Sequence, residues 1–394
     1  MFNTIDSFDV KGKRVLVRLD LNVPAKDGKV TDDTRIRRSV ATLTELMDRG
    51  ARVIVLTHFG RPKGRDMTFS QKLLQEPLAA AVGKHVAWAD DCIGPEAERA
   101  VAALKDGDIV LMENVRFHPE EEKNDMDFAG KLAALGDLYV NDAFSTAHRG
   151  HSTTEGLAHL LPAAAGRLMQ AELVALSKAL DSPDKPFAAV VGGSKISTKL
   201  EVLGNLVAKT DYLIIGGGMA NTFLFAQGVS IGKSLCEKDM VQTALAILDK
   251  AKVGGCKIVL PVDAVIAHEF SENPPTQVVA IDKVPDDMMI LDAGPASADL
   301  IIKEIETCKT LVWNGPLGAF EVSPFDEATN KVAKAAARLT KTNGLTTVAG
   351  GGDTVSALVK AGVERDFTYI STAGGAFLEW LEGKTLPGVA ALIR

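Results

Sequence analysis

The segment VVGGSKISTK, residues 190–199, carries the ingredients of a phosphate site: two glycines after an apolar β-branched run, then Lys195 and Lys199. Glycine lets a ligand approach the backbone, and lysine supplies charge. The spacing excludes a Walker loop, which needs four residues between its glycines and Lys-Ser/Thr directly after the second. Gly193 is followed by Ser194, and GVSIGKS puts only three residues between Gly228 and Gly232. Lys195 and Lys199 lie four apart, so on a helix they share one face. Alone, such a pair reads as solvated surface; after a glycine-tipped strand it reads as two charges aimed at phosphates. Similar tips recur at IIGGGM (214–219), VWNGPLGAFE (312–321) and GGGDT (350–354). There Asp353 reads either as a cap for the helix that follows or as a magnesium ligand.

A different chemistry occupies the first half. Asp20, Asn22, His58, Arg61, Arg116, His148 and Arg149 follow apolar runs, and 13 of 16 arginines with six of seven histidines fall in residues 1–167. Arginine binds carboxylate and phosphate through planar, paired hydrogen bonds. The pattern reads equally as an anion site or as solvated surface, in a chain whose net charge is −7. That acidic total argues against a general nucleic-acid binder.

The elements that must position these residues alternate. Strands are expected within 14–20, 51–59, 108–117 and 138–144, then within 187–193, 212–218, 256–263, 310–316, 346–352 and 368–375. Helical spacing fills the gaps, as in TRIRRSVATLTELMDRG with its closing Gly50. Strand–helix alternation implies an α/β fold with parallel sheets covered on both faces. Ligands bind such sheets beyond the carboxyl ends of the strands, where one half presents charged side chains and the other bare backbone before helix starts. The 394 residues suggest two domains. The expected division is 1–168, a connecting helix and hinge over 169–184, and 185–383. The tail, 384–394, is expected to pack back on the first domain. GLAHLLPAAAG, with Leu157, Leu160 and Leu161, reads as core, and Arg37 and Arg38 as surface. Cys92, Cys236, Cys256 and Cys308 have no metal spacing and suit reduced thiols. No apolar run is long enough for a bilayer, and the N-terminus lacks a signal-peptide pattern, so a cytoplasmic location is expected.

In order along the chain, VLVRLDLNVP, THFGRP, ENVRF, NDAFSTAHRGHSTT, VVGGSKIS, IIGGGM, VWNGPLGAFE and GGGDT resemble the signature segments of the phosphoglycerate kinase family. The resemblance implies two doubly wound, Rossmann-like domains joined by a hinge, with a cleft between them. It implies Mg2+-dependent transfer between 1,3-bisphosphoglycerate and ADP, giving 3-phosphoglycerate and ATP, by a monomer without nucleic-acid or membrane partners. It assigns the acid to Asp20, Asn22, Arg35, His58, Arg61, Arg116 and Arg149, and the transferring group to Arg35, Lys195, Lys199, Gly352 and Gly375. The nucleotide falls to Gly193, Lys195, Lys199, Gly217, Gly218, Asn314, Pro316, Gly318, Glu321, Gly351, Gly352, Asp353 and Thr354, with Asp353 on magnesium. One segment departs from the family pattern: STAGGAF has Ala373 where a glycine and Phe377 where a small polar residue is expected.

Two other classes fit the pattern less well. The glycine clusters do not fit the GxGxxG spacing of a dinucleotide-dependent dehydrogenase. A two-domain solute-binding protein would need one ligand, whereas the two halves offer different chemistry.

Overall fold

The fold is that of a computed structural model, which describes residues 2–371 and 373–393. The chain forms two compact units, Met1–Val174 with Thr385–Arg394, and Ala175–Lys384.

The first unit is built on a parallel sheet. Its strands are β1 (Arg14–Arg18), β4 (Arg52–Leu56), β5 (Val86–Ala89), β6 (Ile109–Met112), β7 (Leu138–Asn141) and β8 (Ala163–Ala165), beside a small hairpin of β2 (Ala25–Lys26) and β3 (Lys29–Val30). The spatial order is β5-β6-β4-β1-β7-β8. Central strands read as unbroken apolar runs because helices cover both faces; Val15, Leu16 and Val17 are all fully buried. The helix Thr34–Asp48 closes one face with Ile36, Leu43, Leu46 and Met47. It ends beside Gly50, whose φ of +80° turns the chain into β4.

The second unit has strands β9 (Phe187–Val191), β10 (Tyr212–Ile215), β11 (Lys257–Val259), β15 (Thr310–Asn314), β16 (Thr346–Gly350) and β17 (Tyr369–Ser371). Their order is β11-β10-β9-β15-β16-β17, again parallel. A separate antiparallel sheet of β12 (Asp263–Ala267), β13 (Gln277–Ala280) and β14 (Met289–Ala293) flanks it. Sequence patterning ran β11 and β12 together across 256–263 and did not show this second sheet; β13 is largely exposed, so no buried alternation marks it.

Three other expectations change. The connector is an α-helix at Arg167–Leu176 continued by a π-helical turn at Ser177–Asp181. Leu157 is core, but Leu160 is 43% exposed because its helix stops at that residue. Lys195 and Lys199 do not share a helix face: the helix begins at Leu200, with Lys199 at its cap. Buried Ile196 and the Ser197–Glu237 hydrogen bonds hold the preceding residues in a turn.

Candidate active site

In each sheet the chain winds outward from a first strand and then returns to its other side. That reversal lies between β1 and β7 in the first unit and between β9 and β15 in the second. Strand tips diverge there and leave a crevice.

In the first unit the residues after β1 meet those after β7. Arg35, from the first turn of its helix, donates to Asp20 at 2.8 Å and to the Asn22 carbonyl at 3.1 Å. Ser145, after β7, donates to the same Asp20 oxygen at 2.5 Å. Gly60 joins two more pieces: its N–H donates to the Asn22 side chain at 2.9 Å, and its carbonyl accepts from Arg116 at 2.8 Å. A Cβ here would sit 2.2 Å from the Phe69 ring, and φ is +61°, so only glycine fits without strain. Asn114 aims Arg116. It receives the Phe59 and Arg116 N–H groups and donates to the Phe59 and Phe69 carbonyls.

His58 lies at the centre, nearly buried. Burial, then Arg18, Arg116, Arg149 and Arg35 in decreasing order, hold its pKa well below the usual imidazole value. Burial first, and the neighbouring arginines after it, pull His151 down to about 4. Arg116 falls to about 10, chiefly through burial, and stays charged at neutral pH. Asp20, Asn22, Arg35, His58, Arg116 and Arg149 thus gather at one place. Arg61 is exposed on the same loop as Gly60 and makes no ion pair among the described residues.

The second unit presents backbone. Gly192 and Gly315 press together at the strand reversal: a Cβ on Gly192 would lie 1.9 Å from the Pro316 carbonyl oxygen. Side chains at this crossing would force β9 and β15 apart. Beside it opens a cavity of about 330 Å³. Gly193, Gly217, Gly218, Pro316, Gly318, Glu321 and Asp353 line it together with apolar Leu224, Leu235, Phe270 and Leu317. An apolar slot with a few polar groups suits a flat heterocycle carrying a polar tail.

Lys199 is half-buried and hydrogen-bonds to the Asn314 side chain. Burial lowers its pKa, against Asp353 and Glu382, which raise it. Asn314 also donates to the Gly350 carbonyl at 2.9 Å, and so ties Lys199 to the GGGDT tip. Thr354 is buried, and its hydroxyl accepts the Gly315 N–H at 2.7 Å. The helix Gly352–Lys360 is capped by Gly351, so Asp353 is not its cap; it is exposed in the first turn. Lys195 is exposed, as is Gly375 in the first turn of the helix Gly374–Leu381.

The departures at 373 and 377 fit the fold. Ala373 has φ −97°, which needs no glycine, and its N–H is held by Ser371 at 3.2 Å. Phe377 is fully buried, with its ring against Gly350. Thr372, between Ser371 and Ala373, lies outside the described residues.

Residues 5–384 match the family model described as phosphoglycerate kinase. The chain belongs to the phosphoglycerate kinase family. It is 62% identical over 391 residues to a phosphoglycerate kinase of Rhodopseudomonas palustris, covering 99% of this chain and 98% of that one. Identity to the enzyme of Bradyrhizobium diazoefficiens is 61% with the same coverage. The solved phosphoglycerate kinase of Coxiella burnetii superposes with a TM-score of 0.94 at 42% identity, over 100% of this chain and 99% of that one. For that of Pyrococcus horikoshii the TM-score is 0.81 at 32% identity, over 100% and 98%.

Arg18, Ser145, Glu121, His151 and Thr153 were not singled out from the sequence. Arg18 had a visible signal, a charge inside the apolar run VLVRLD. Glu121 had none, being one of three consecutive glutamates.

Proposed function

We propose that this chain catalyses reversible phosphoryl transfer between 1,3-bisphosphoglycerate and ADP, giving 3-phosphoglycerate and ATP. The observation that carries the reading to these residues is the division of chemistry between the two strand reversals. A cluster of arginines and neutral histidine suits a small, multiply charged acid. A glycine-edged apolar cavity next to helix N-termini suits a nucleotide and its phosphates.

In this reading Asp20 and Asn22 bind the hydroxyl and carboxyl end of the glycerate, and Arg35, His58, Arg61, Arg116 and Arg149 surround its charges. Gly217 and Gly218 face the adenine, Glu321 the ribose hydroxyls, and Gly193, Asn314, Pro316, Gly318, Gly351 and Thr354 shape the phosphate region. Lys195 and Lys199 meet the nucleotide phosphates and the group in flight.

In the forward direction a β-phosphate oxygen of ADP attacks the acyl phosphate, and the bond from phosphorus to the carboxylate oxygen breaks in line. Neither oxygen needs deprotonation, so His58 binds and orients and does not act as a base. Arg35, Lys199 and the N–H groups of Gly352 and Gly375 stabilise the equatorial oxygens. Direct transfer needs both ligands in line and dry, so the reading includes a closing step that expels water. No phosphoenzyme forms.

The carboxylate of Asp353 accepts no hydrogen bond among the described residues and edges the cavity. A free carboxylate beside phosphates is the donor type that Mg2+ takes, so the site fits the metal accompanying the nucleotide. Bound there, Mg2+ would offset phosphate charge. The reading also takes the chain to act in the cytoplasm as a monomer on small molecules, without nucleic-acid or membrane partners. The acidic net charge supports the first of those two exclusions. Among the described residues no helix is long and apolar enough to cross a membrane.

The test is a coupled assay. The protein is mixed with Mg·ATP, 3-phosphoglycerate, NADH and glyceraldehyde-3-phosphate dehydrogenase. NADH loss that requires acid, nucleotide and magnesium is expected. No loss at high enzyme concentration would overturn the reading, as would phosphate from labelled ATP trapped covalently on the protein for the direct-transfer step.

A further inference from the structure

We propose that Thr153 and Glu121 are positioning residues that hold Arg18 against His58, fixing His58 as the tautomer that offers its Nε2–H to the acid substrate. The proposal rests on the functional reading above and adds to it a layer behind the substrate-facing side chains.

Arg18 is 1% exposed at the carboxyl end of β1. Its guanidinium can only donate. Nε donates to Thr153 Oγ1 at 2.8 Å, one Nη donates to the Leu19 carbonyl, and the other lies 3.1 Å from Nδ1 of His58. Because the arginine nitrogen cannot accept, Nδ1 must, and the imidazole proton is left on Nε2. A doubly protonated ring could not make this contact. The charged groups facing His58, namely Arg18, Arg116, Arg149 and Arg35, all oppose its protonation as well.

Thr153 sets the direction of the chain. Its hydroxyl has one proton and already accepts from Arg18, so that proton goes to Oε1 of Glu121. Oε2 of Glu121 accepts the Thr153 N–H at 2.9 Å, and Tyr139 donates to the Thr153 carbonyl at 2.6 Å. Thr153 is therefore held at its N–H, its hydroxyl and its carbonyl. Glu121 is fully buried, which raises its pKa, against Arg18, the Thr153 hydrogen bonds and Arg116, which lower it and favour the carboxylate; His151 Nδ1 lies 4.0 Å from its Oε1. A buried carboxylate is costly unless paired. Here it offsets part of the positive charge gathered for the substrate and makes the donors run one way, from Arg18 to Thr153 to Glu121.

The experiment compares wild type, T153V, which removes the hydroxyl at similar size, and T153S, which keeps it. T153V should raise KM for 3-phosphoglycerate roughly tenfold, the loss expected for a hydrogen bond to a charged group. KM for ATP should not change, and T153S should retain wild-type values. Histidine 15N NMR reads the tautomer without turnover: wild-type His58 should show an acceptor Nδ1 and a protonated Nε2, and T153V a mixture. An unchanged KM and tautomer in T153V would overturn the proposal, as would equal rises in both KM values with T153S failing alike. If T153V does not fold, the wild-type tautomer decides. An inactive wild type with the single tautomer would instead sink the reaction and leave the relay; an active wild type with mixed tautomers would sink the relay alone.

Discussion

The two parallel sheets end in opposite chemistry. Beyond β1 and its neighbour β4 stand Asp20, Arg35 and His58, each held by named partners, whereas beyond β9 and β15 the chain presents Gly192, Gly193 and Gly315. The strand orders differ too. Taking the strands of each unit in chain order, the second follows the dinucleotide-fold arrangement 3-2-1-4-5-6, while the first runs 3-4-2-1-5-6. Both orders still reverse beside the unit's first strand, and both candidate sites lie there. Site location thus follows the winding of the sheet, and ligand chemistry follows what is placed at the tips. Side chains recognise by charge but must be braced. Backbone N–H groups are already fixed by the fold and need only room.

The comparison predicts a sharp contrast between two cations. Removing Lys199, the half-buried charge on the glycine side, should cut kcat by roughly 10²- to 10³-fold, as for loss of one group that stabilises transition-state charge. Circular dichroism should show the fold intact; near-normal turnover would end its role. Arg61→Ala should act on KM for 3-phosphoglycerate, by roughly tenfold, with melting temperature unchanged because Arg61 is exposed and makes no ion pair among the described residues. A rise in KM for ATP instead would break the assignment of sides.

A smaller effect separates the braced side by pH. His151 has a folded pKa of about 4 against 6.5 for the free side chain. The unfolded chain therefore binds this proton first. Stability is fully present above about 6.5 and is lost as pH falls toward about 4, by at most roughly 3.5 kcal/mol from this group. Melting temperature should drop from pH 7 to pH 5, and less in His151→Asn. Equal drops in both proteins would remove His151 from the account.

The least effect is expected at the departure from the family pattern. Ala373 already has an ordinary φ and a held N–H, so Ala373→Gly should leave kcat within about twofold and lower stability by roughly 0.5–1 kcal/mol through added backbone freedom. A large gain in kcat would mean that alanine at this position restrains the phosphate loop.

The alternation of strand and helix was legible in the residue order, because buried parallel strands must be apolar throughout and Val15–Val17 or Ala188–Val191 read that way. The sequence also determined the concentration of arginine in the first half, the glycine clusters after the second-half strands, and the family, through eight segments in order. It could not show the sheet of β12, β13 and β14, because β13 is largely exposed and carries no buried alternation, nor that Lys199 caps a helix instead of lying on one. The buried set of Arg18, Thr153, Glu121 and His58 was equally out of reach. Its members come from four separate segments, and one glutamate among three neighbours carries no mark of burial. Only packing decides which of those carboxylates faces inward, because the hydrogen-bond partners that make a buried charge tolerable are supplied by residues distant in the chain.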